Sequence, residues 1–252
     1  QDAQHADLGP EMTRVGGHLT KRRRARLKEP RVQTGPVPIG QRQERVRQRE
    51  DDVHVRHVEQ FPLARLEPAL AGLRLKVDAL RREEATLVRV GVSPHAPYSV
   101  SDALFEATAA YARAESLPVA VHIAESEEES RLVIQAAGGW ADSHRARGIA
   151  VVERGGSPVG LLERVGVLDA QPLLIHCVRS GPDDIASLAR HDCAVAHCPA
   201  SNAKLGHGIA PLAELLAAGV RVGLGSDSVA SNNRMDLLDE ARLAILLQRA
   251  RS

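Results

Sequence analysis

Aromatic side chains are nearly absent from this chain: two Phe, two Tyr and one Trp among 252 residues. Stacking platforms for single-stranded nucleic acid are therefore scarce, and no nucleic-acid partner is expected. An excess of one charge is missing as well. The 33 Lys and Arg balance 32 Asp and Glu, a net charge of +1, so the chain as a whole has no general attraction for polyanions. Cysteine is sparse, with Cys177, Cys193 and Cys198 and no CxxC pair. That argues against a disulfide frame and for buried thiols in a reducing compartment. No apolar run approaches the ~20 residues that span a bilayer, and the first residues are polar and basic, unlike a secretory signal. No membrane partner and a cytoplasmic location are the resulting expectations. A Gly-rich phosphate loop is also lacking: Val92-Ser-Pro-His95 stands where a doubly wound nucleotide-binding sheet would need one.

What is present divides into two parts. Residues 1–60 carry 13 Lys and Arg against 9 Asp and Glu, with charge runs at Arg22-Arg-Arg24 and over residues 42–49, and with Pro30, Pro36 and Pro38 between them. Such a segment lacks a sustained apolar face and is expected to have little order. Leu66, Leu70, Leu73, Val77 and Leu80 fall at helical spacing, which predicts a helix over about residues 63–82, with Pro68 against its first turns. Residues 1–85 are therefore read as a basic, low-order leader, and residues 86–252 as a separate α/β region.

From residue 87 onward the chain is well punctuated. Ser101 caps a helix reaching to about residue 114, and Ser126 caps one whose first turn is Glu127, Glu128 and Glu129, read as a solvated face. Pro182 and Pro211 stand near two further helix starts, and Gly219 ends a helix before a strand. Asp236 opens the last helix, with Leu237, Leu238, Ala241, Ile245 and Leu246 as its apolar stripe. Strand, loop and helix alternate about five times, which means a parallel sheet with helices outside.

The strand ends carry the chemistry. Residues 87–92 run into Ser93-Pro-His95, and residues 117–121 into His122-Ile-Ala-Glu125. Residues 172–175 end in His176-Cys177, residues 193–196 in His197-Cys198, and residues 222–226 in Asp227. Ligand and acid/base residue types at the ends of consecutive parallel strands are the arrangement of a (β/α)8 barrel's catalytic face. The fold class is therefore α/β, an incomplete TIM-type barrel of about five β/α units behind the leader. Imidazole and carboxylate suit a divalent metal, probed here by His122 and Asp227. Glu125 is placed to shuttle a proton, and His176 to assist the attacking water. His144, His191 and His207 lie away from strand ends and read as ordinary, and Asp227 taken alone is also compatible with a turn cap.

Ser93-Pro-His-Ala-Pro-Tyr-Ser99, His122-Ile-Ala-Glu125, His176-Cys177, His197-Cys-Pro-Ala-Ser-Asn202 and Gly225-Ser-Asp227-Ser-Val-Ala-Ser231 resemble, in this order, motifs of the amidohydrolase superfamily. The resemblance covers about residues 87–249 and is nearest to the branch of S-adenosylhomocysteine/methylthioadenosine deaminases, aminodeoxyfutalosine deaminases and triazine chlorohydrolases. It implies a divalent metal, zinc with iron as the alternative, held in part by His122 and Asp227. It implies catalytic roles for Glu125, His176 and Asp227, and substrate contacts for His95, Glu125, Asn202 and Ser231. The implied reaction is hydrolytic deamination of a small aminated heterocycle such as an adenosine-like nucleoside.

The family's first strand ends in a His-x-His that supplies two more metal ligands, and this chain has none; His54-Val-Arg-His57 has the wrong spacing. Three readings follow: a deaminase, a hydrolase of the same architecture with another leaving group such as chloride, and a barrel portion that is inactive alone. The last would associate through its unpaired sheet edges, as a homo-oligomer or with a completing chain. A shifted reading frame in a GC-rich gene would also yield such an Arg/Gln/Pro-rich leader, an expectation that upstream DNA read in the other frames tests.

Overall fold

A computed structural model describes the backbone of residues 54–55 and residues 66–85 and 87–251, all within one compact unit, Gln43–Ser252. Apart from the backbone of residues 54–55, the stretch expected to have little order, residues 1–60, lies outside the described residues, as do the side chains of His54 and His57.

Six strands are described: β1 His54–Val55, β2 Ser93–Pro94, β3 Ala120–Ile123, β4 Leu173–His176, β5 Ala194–His197 and β6 Arg221–Leu224. All their pairings are parallel. Ten α-helices accompany them among the described residues: α1 Leu66–Leu80, α2 Asp102–Ala114, α3 Glu127–Gln135, α4 Gly139–Ala146, α5 Pro158–Arg164, α6 Pro182–Arg190, α7 Pro199–Lys204, α8 Leu212–Ala217, α9 Val229–Asn232 and α10 Leu237–Arg251. At least one helix lies between each pair of neighbouring strands from β2 to β6, as a parallel crossover requires.

The main sheet runs β3-β4-β5-β6 in sequence order. A doubly wound sheet reverses its order at a switch point, whereas barrel strands follow one another. The order removes the nucleotide-fold alternative and fits a segment of a TIM-type barrel. β1 and β2 form a second, two-stranded sheet. The two sheets meet where Val92 bridges Val119, with Val92 N donating to Pro118 O at 2.8 Å and Ala120 N to Val92 O at 3.0 Å. The strand read over residues 87–92 is thus displaced to Ser93–Pro94. Leu87 and Val88 are exposed, and Val88 turns back on Ala85 instead of joining the ladder.

Register explains the core. Val121, Leu174, Val195 and Val222 lie side by side across the sheet, and the first three are almost fully buried with Leu104, Phe105, Leu162 and Leu188. His122 lies in the next row with Ile175, Ala196 and Gly223, so two very small residues share its face.

The helices start where the caps predict. Ser101 Oγ accepts from Leu104 N at 3.3 Å, Ser126 Oγ from Glu129 N at 3.2 Å and Ser157 Oγ from Gly160 N at 2.9 Å. Ser157 Oγ also donates to the Asp184 carboxylate, which accepts from Gly181 N at 2.9 Å, so one serine ties the start of α5 to the start of α6. Helix α1 lies within the span predicted for it and buries Leu70, Leu73 and Val77.

One patterning expectation fails. Leu237, Leu238, Ile245 and Leu246 of α10 face outward, while Glu240 and Ala244 are its buried residues. The reason is local: the Glu240 carboxylate accepts from Ala200 N at 3.0 Å and from the Asn232 amide, which turns that side of α10 toward α7 and α9. Among the described residues, no helix is long and apolar enough to cross a membrane.

Candidate active site

The site lies where β2 to β6 give way to their loops, and the backbone there is unusual. Ala124 (φ 50°) follows β3, His176 (φ 77°) and Cys177 (φ 50°) end β4, and Asp227 (φ 55°) follows β6. Left-handed backbone is uncommon in residues with a Cβ and concentrates at functional positions. Each such residue turns the chain sharply out of the sheet. His122 N donates to His95 O at 2.9 Å, which sets the two imidazoles side by side with ring centroids 5.0 Å apart.

Three of the sequence-selected residues converge. One ligand atom from each of His122, His176 and Asp227 lies within 4.8 Å of the others. Two imidazole nitrogens and a carboxylate oxygen suit zinc and its first-row neighbours, so this donor set fits a divalent metal. The structure places His176 with His122 and Asp227, in a group where the sequence motifs had supplied two ligands.

Glu125 stands beside this cluster. Its Oε1 lies 3.6 Å from His176 Nε2 and 3.3 Å from His207 Nδ1, and its Oε2 accepts from Tyr98 OH at 3.4 Å. Burial by itself would raise the Glu125 pKa. The bond to His207 and the charges of His176, His207 and His122 outweigh it and hold the carboxyl down at about 2. The group is therefore ionised at neutral pH.

The neighbours orient these groups. His176 Nδ1 lies 2.9 Å from Asn202 Oδ1. An amide oxygen accepts, so Nδ1 carries a proton toward Asn202, and Nε2 is turned toward Glu125. Asp227 Oδ2 accepts from both Ser201 Oγ and Ser231 Oγ at 2.6 Å. Burial pushes the Asp227 carboxyl up, and the two hydroxyls and His176 more than reverse this, leaving it below its ordinary value. Asn202 and Ser231, read from the motifs as pocket residues, are thus hydrogen-bonded to His176 and Asp227. Ser99 Oγ donates to Ala96 O at 3.1 Å and so accepts from His95 Nδ1 at 2.7 Å. That fixes the His95 tautomer with Nε2 as its acceptor nitrogen.

His207, Trp140 and Glu129 belong to the site and escaped the sequence reading. His207 sits against Glu125, in a loop where Gly206 (φ 72°) and Gly208 (φ 114°) allow the chain to turn inward. Its flanking glycines were the available signal. Trp140 stacks on Tyr98 at 4.7 Å with the rings 14° apart. His197, which the sequence had placed at a strand end, is buried beside His176 and held neutral, its pKa lowered to about 4 by burial and by that neighbour. Glu129 corrects the solvated-face expectation: Glu127 is exposed, but Glu129 is completely buried. Its Oε1 accepts from Ala124 N at 2.9 Å and its Oε2 from Glu125 N at 2.8 Å. Burial drives its pKa up to about 8 against the pull of those two bonds.

Comparison with known proteins agrees with this geometry. The chain is 38% identical over 183 residues to the aminodeoxyfutalosine deaminase of Deinococcus radiodurans, covering 69% of this chain and 44% of that protein. It is 39% identical over 162 residues to the 5'-deoxyadenosine deaminase of Methanothermobacter thermautotrophicus, covering 64% and 34%. It therefore spans less than half the length of these curated relatives. Among solved structures, an adenosine deaminase from Xanthomonas campestris with bound zinc superposes with a TM-score of 0.59 at 30% identity, covering 73% of this chain and 38% of that one. The profile described as "Amidohydrolase family" matches residues 57–252, and with the motif order and the parallel α/β frame it makes this chain a member of the amidohydrolase family.

Proposed function

We propose that the chain carries part of the site of a metal-dependent hydrolase that deaminates a small heterocycle of the adenosine type. The observation that supports this best is the convergence of His122, His176 and Asp227 within 4.8 Å, with Glu125 3.6 Å from His176. A divalent metal, zinc by donor chemistry with iron as the alternative, supplies a nucleophilic water at neutral pH when bound.

The chain's own residues do the rest. His122 and Asp227 would hold the metal, and His176 would either join them or hydrogen-bond the attacking water through Nε2. Glu125, ionised and close to the cluster, would carry one proton of the water to the substrate's ring nitrogen, and Asp227 would take the second and return it to the amino group, which leaves as ammonia when the C–N bond breaks. His95 presents Nε2 to the substrate. Asn202 fixes the His176 tautomer and Ser231 orients Asp227. Tyr98 and Trp140 form the aromatic side of the mouth, where a planar base can rest. The named relatives are deaminases, which favours ammonia over chloride as the leaving group.

The test is metal content per chain on purified protein, with ammonia release from 5'-deoxyadenosine, S-adenosylhomocysteine and adenosine measured on the same sample. Near-stoichiometric zinc with ammonia release is the expected result. Absence of both metal and ammonia overturns the reading for this chain.

A further inference from the structure

We propose that Glu129 is a positioning residue, whose buried carboxyl group holds the Ala124 and Glu125 backbone so that the Glu125 side chain faces the His122, His176 and Asp227 cluster. The inference rests on the reading of Glu125 as the proton carrier.

Glu129 occupies the third position of α3, after the cap Ser126. In an ordinary capping box a glutamate there bonds back to the cap's own N–H. Here it reaches past the cap. Its two oxygens take the two preceding amides, Ala124 N at 2.9 Å and Glu125 N at 2.8 Å. Holding the helix start requires neither burial nor this pair of amides, because Ser126 Oγ already accepts from Glu129 N. Burying a carboxyl is costly unless its oxygens are matched, and both are matched by the segment that carries Glu125.

That segment needs an anchor. Ala124 has φ 50°, a conformation that a residue with a Cβ leaves readily. Rotation there would swing Glu125 away from His176 and His207. The neighbouring carboxylates act elsewhere: Glu127 pairs with Arg131 and Arg179, and Glu128 with Arg131 and Gly139 N. Of the acidic first turn, Glu129 alone points into the protein.

The experiment compares full-chain wild type, Glu129→Gln, Glu129→Asp and Ser126→Ala. Glutamine turns an NH2 toward one of the two amides, and aspartate withdraws the carboxylate by one methylene. Ser126→Ala removes the cap alone and serves as the control for helix stability. Both Glu129 variants are expected to lose roughly 10- to 100-fold in kcat for ammonia release, with KM changed less than about threefold. Ser126→Ala, with a comparable fall in melting temperature, is expected to keep kcat within about twofold. Amide hydrogen exchange at residues 124 and 125 is expected to accelerate at least about tenfold in the Glu129 variants only. Unchanged exchange at these two amides, or equal kcat losses in Ser126→Ala and the Glu129 variants, overturns the proposal. Should wild type release no ammonia, the proposed function fails, while the exchange comparison still decides whether Glu129 anchors this backbone.

Discussion

Two histidine–carboxylate clusters lie at opposite ends of the parallel sheet. At the loop end after the strands, Glu125 faces His176 and His207, and its side chain is 13% exposed. At the other end, where the helices finish, Glu163 of α5 pairs with His191 at 3.2 Å and Arg190 at 2.9 Å with 36% exposure. His191 reaches Asp169 at 3.3 Å with its other ring nitrogen. By residue type the two look alike. They differ in where the nitrogens and oxygens point. The imidazole of His191 is spread between two carboxylates on a wet surface, whereas His122, His176 and Asp227 aim at one place inside the fold. Convergence and burial mark a site; the presence of histidine and glutamate does not.

The comparison can be broken most sharply at Asp227. Asp227→Asn keeps an oxygen for Ser201 and Ser231 but removes the charge proposed to hold the metal and take a proton, so ammonia release is expected to fall by roughly 10³-fold with the melting temperature nearly unchanged. Turnover that survives in this variant rejects the mechanism. Next comes pH. The folded-state pKa of Glu125 is depressed from 4.5 to about 2, so its contribution to stability is complete above pH 4.5 and lost as pH falls toward 2. Glu129 is raised from 4.5 to about 8, so its contribution is complete below pH 4.5 and lost as pH rises through 8. Denaturant unfolding between pH 2 and 9 should therefore lose part of its acid slope in Glu125→Gln and part of its slope between pH 4.5 and 8 in Glu129→Gln; an unaltered pH profile in either variant contradicts the assignment for that residue. The smallest effect belongs to the far cluster. Glu163→Gln should change stability by less than ~1 kcal/mol and leave ammonia release intact, because exposed ion pairs contribute little. A large loss of activity there would make the two ends equivalent after all.

The strand ends were legible because a parallel strand is a short apolar run and its exit is the next polar residue. His122, His176, His197 and Asp227 were visible for that reason, as were the Ser101 and Ser126 caps. His207 was not, because a loop residue's direction depends on backbone turns at Gly206 and Gly208 that no periodicity reports. Glu129 was hidden differently. Three consecutive glutamates on a helix start look equivalent, and only the path of the preceding chain decides which one turns inward. The outward stripe of α10 failed for the same reason: Glu240 is drawn in by Ala200 N and Asn232, and periodicity counts it as polar.

The left-handed residues at the strand exits also bear on how this chain would evolve under selection. At those positions the backbone by itself favours glycine, yet His176 and Asp227 carry side chains of the candidate site. A laboratory screen for heat resistance that ignores turnover would find stabilising glycines here early, and each would erase part of the site.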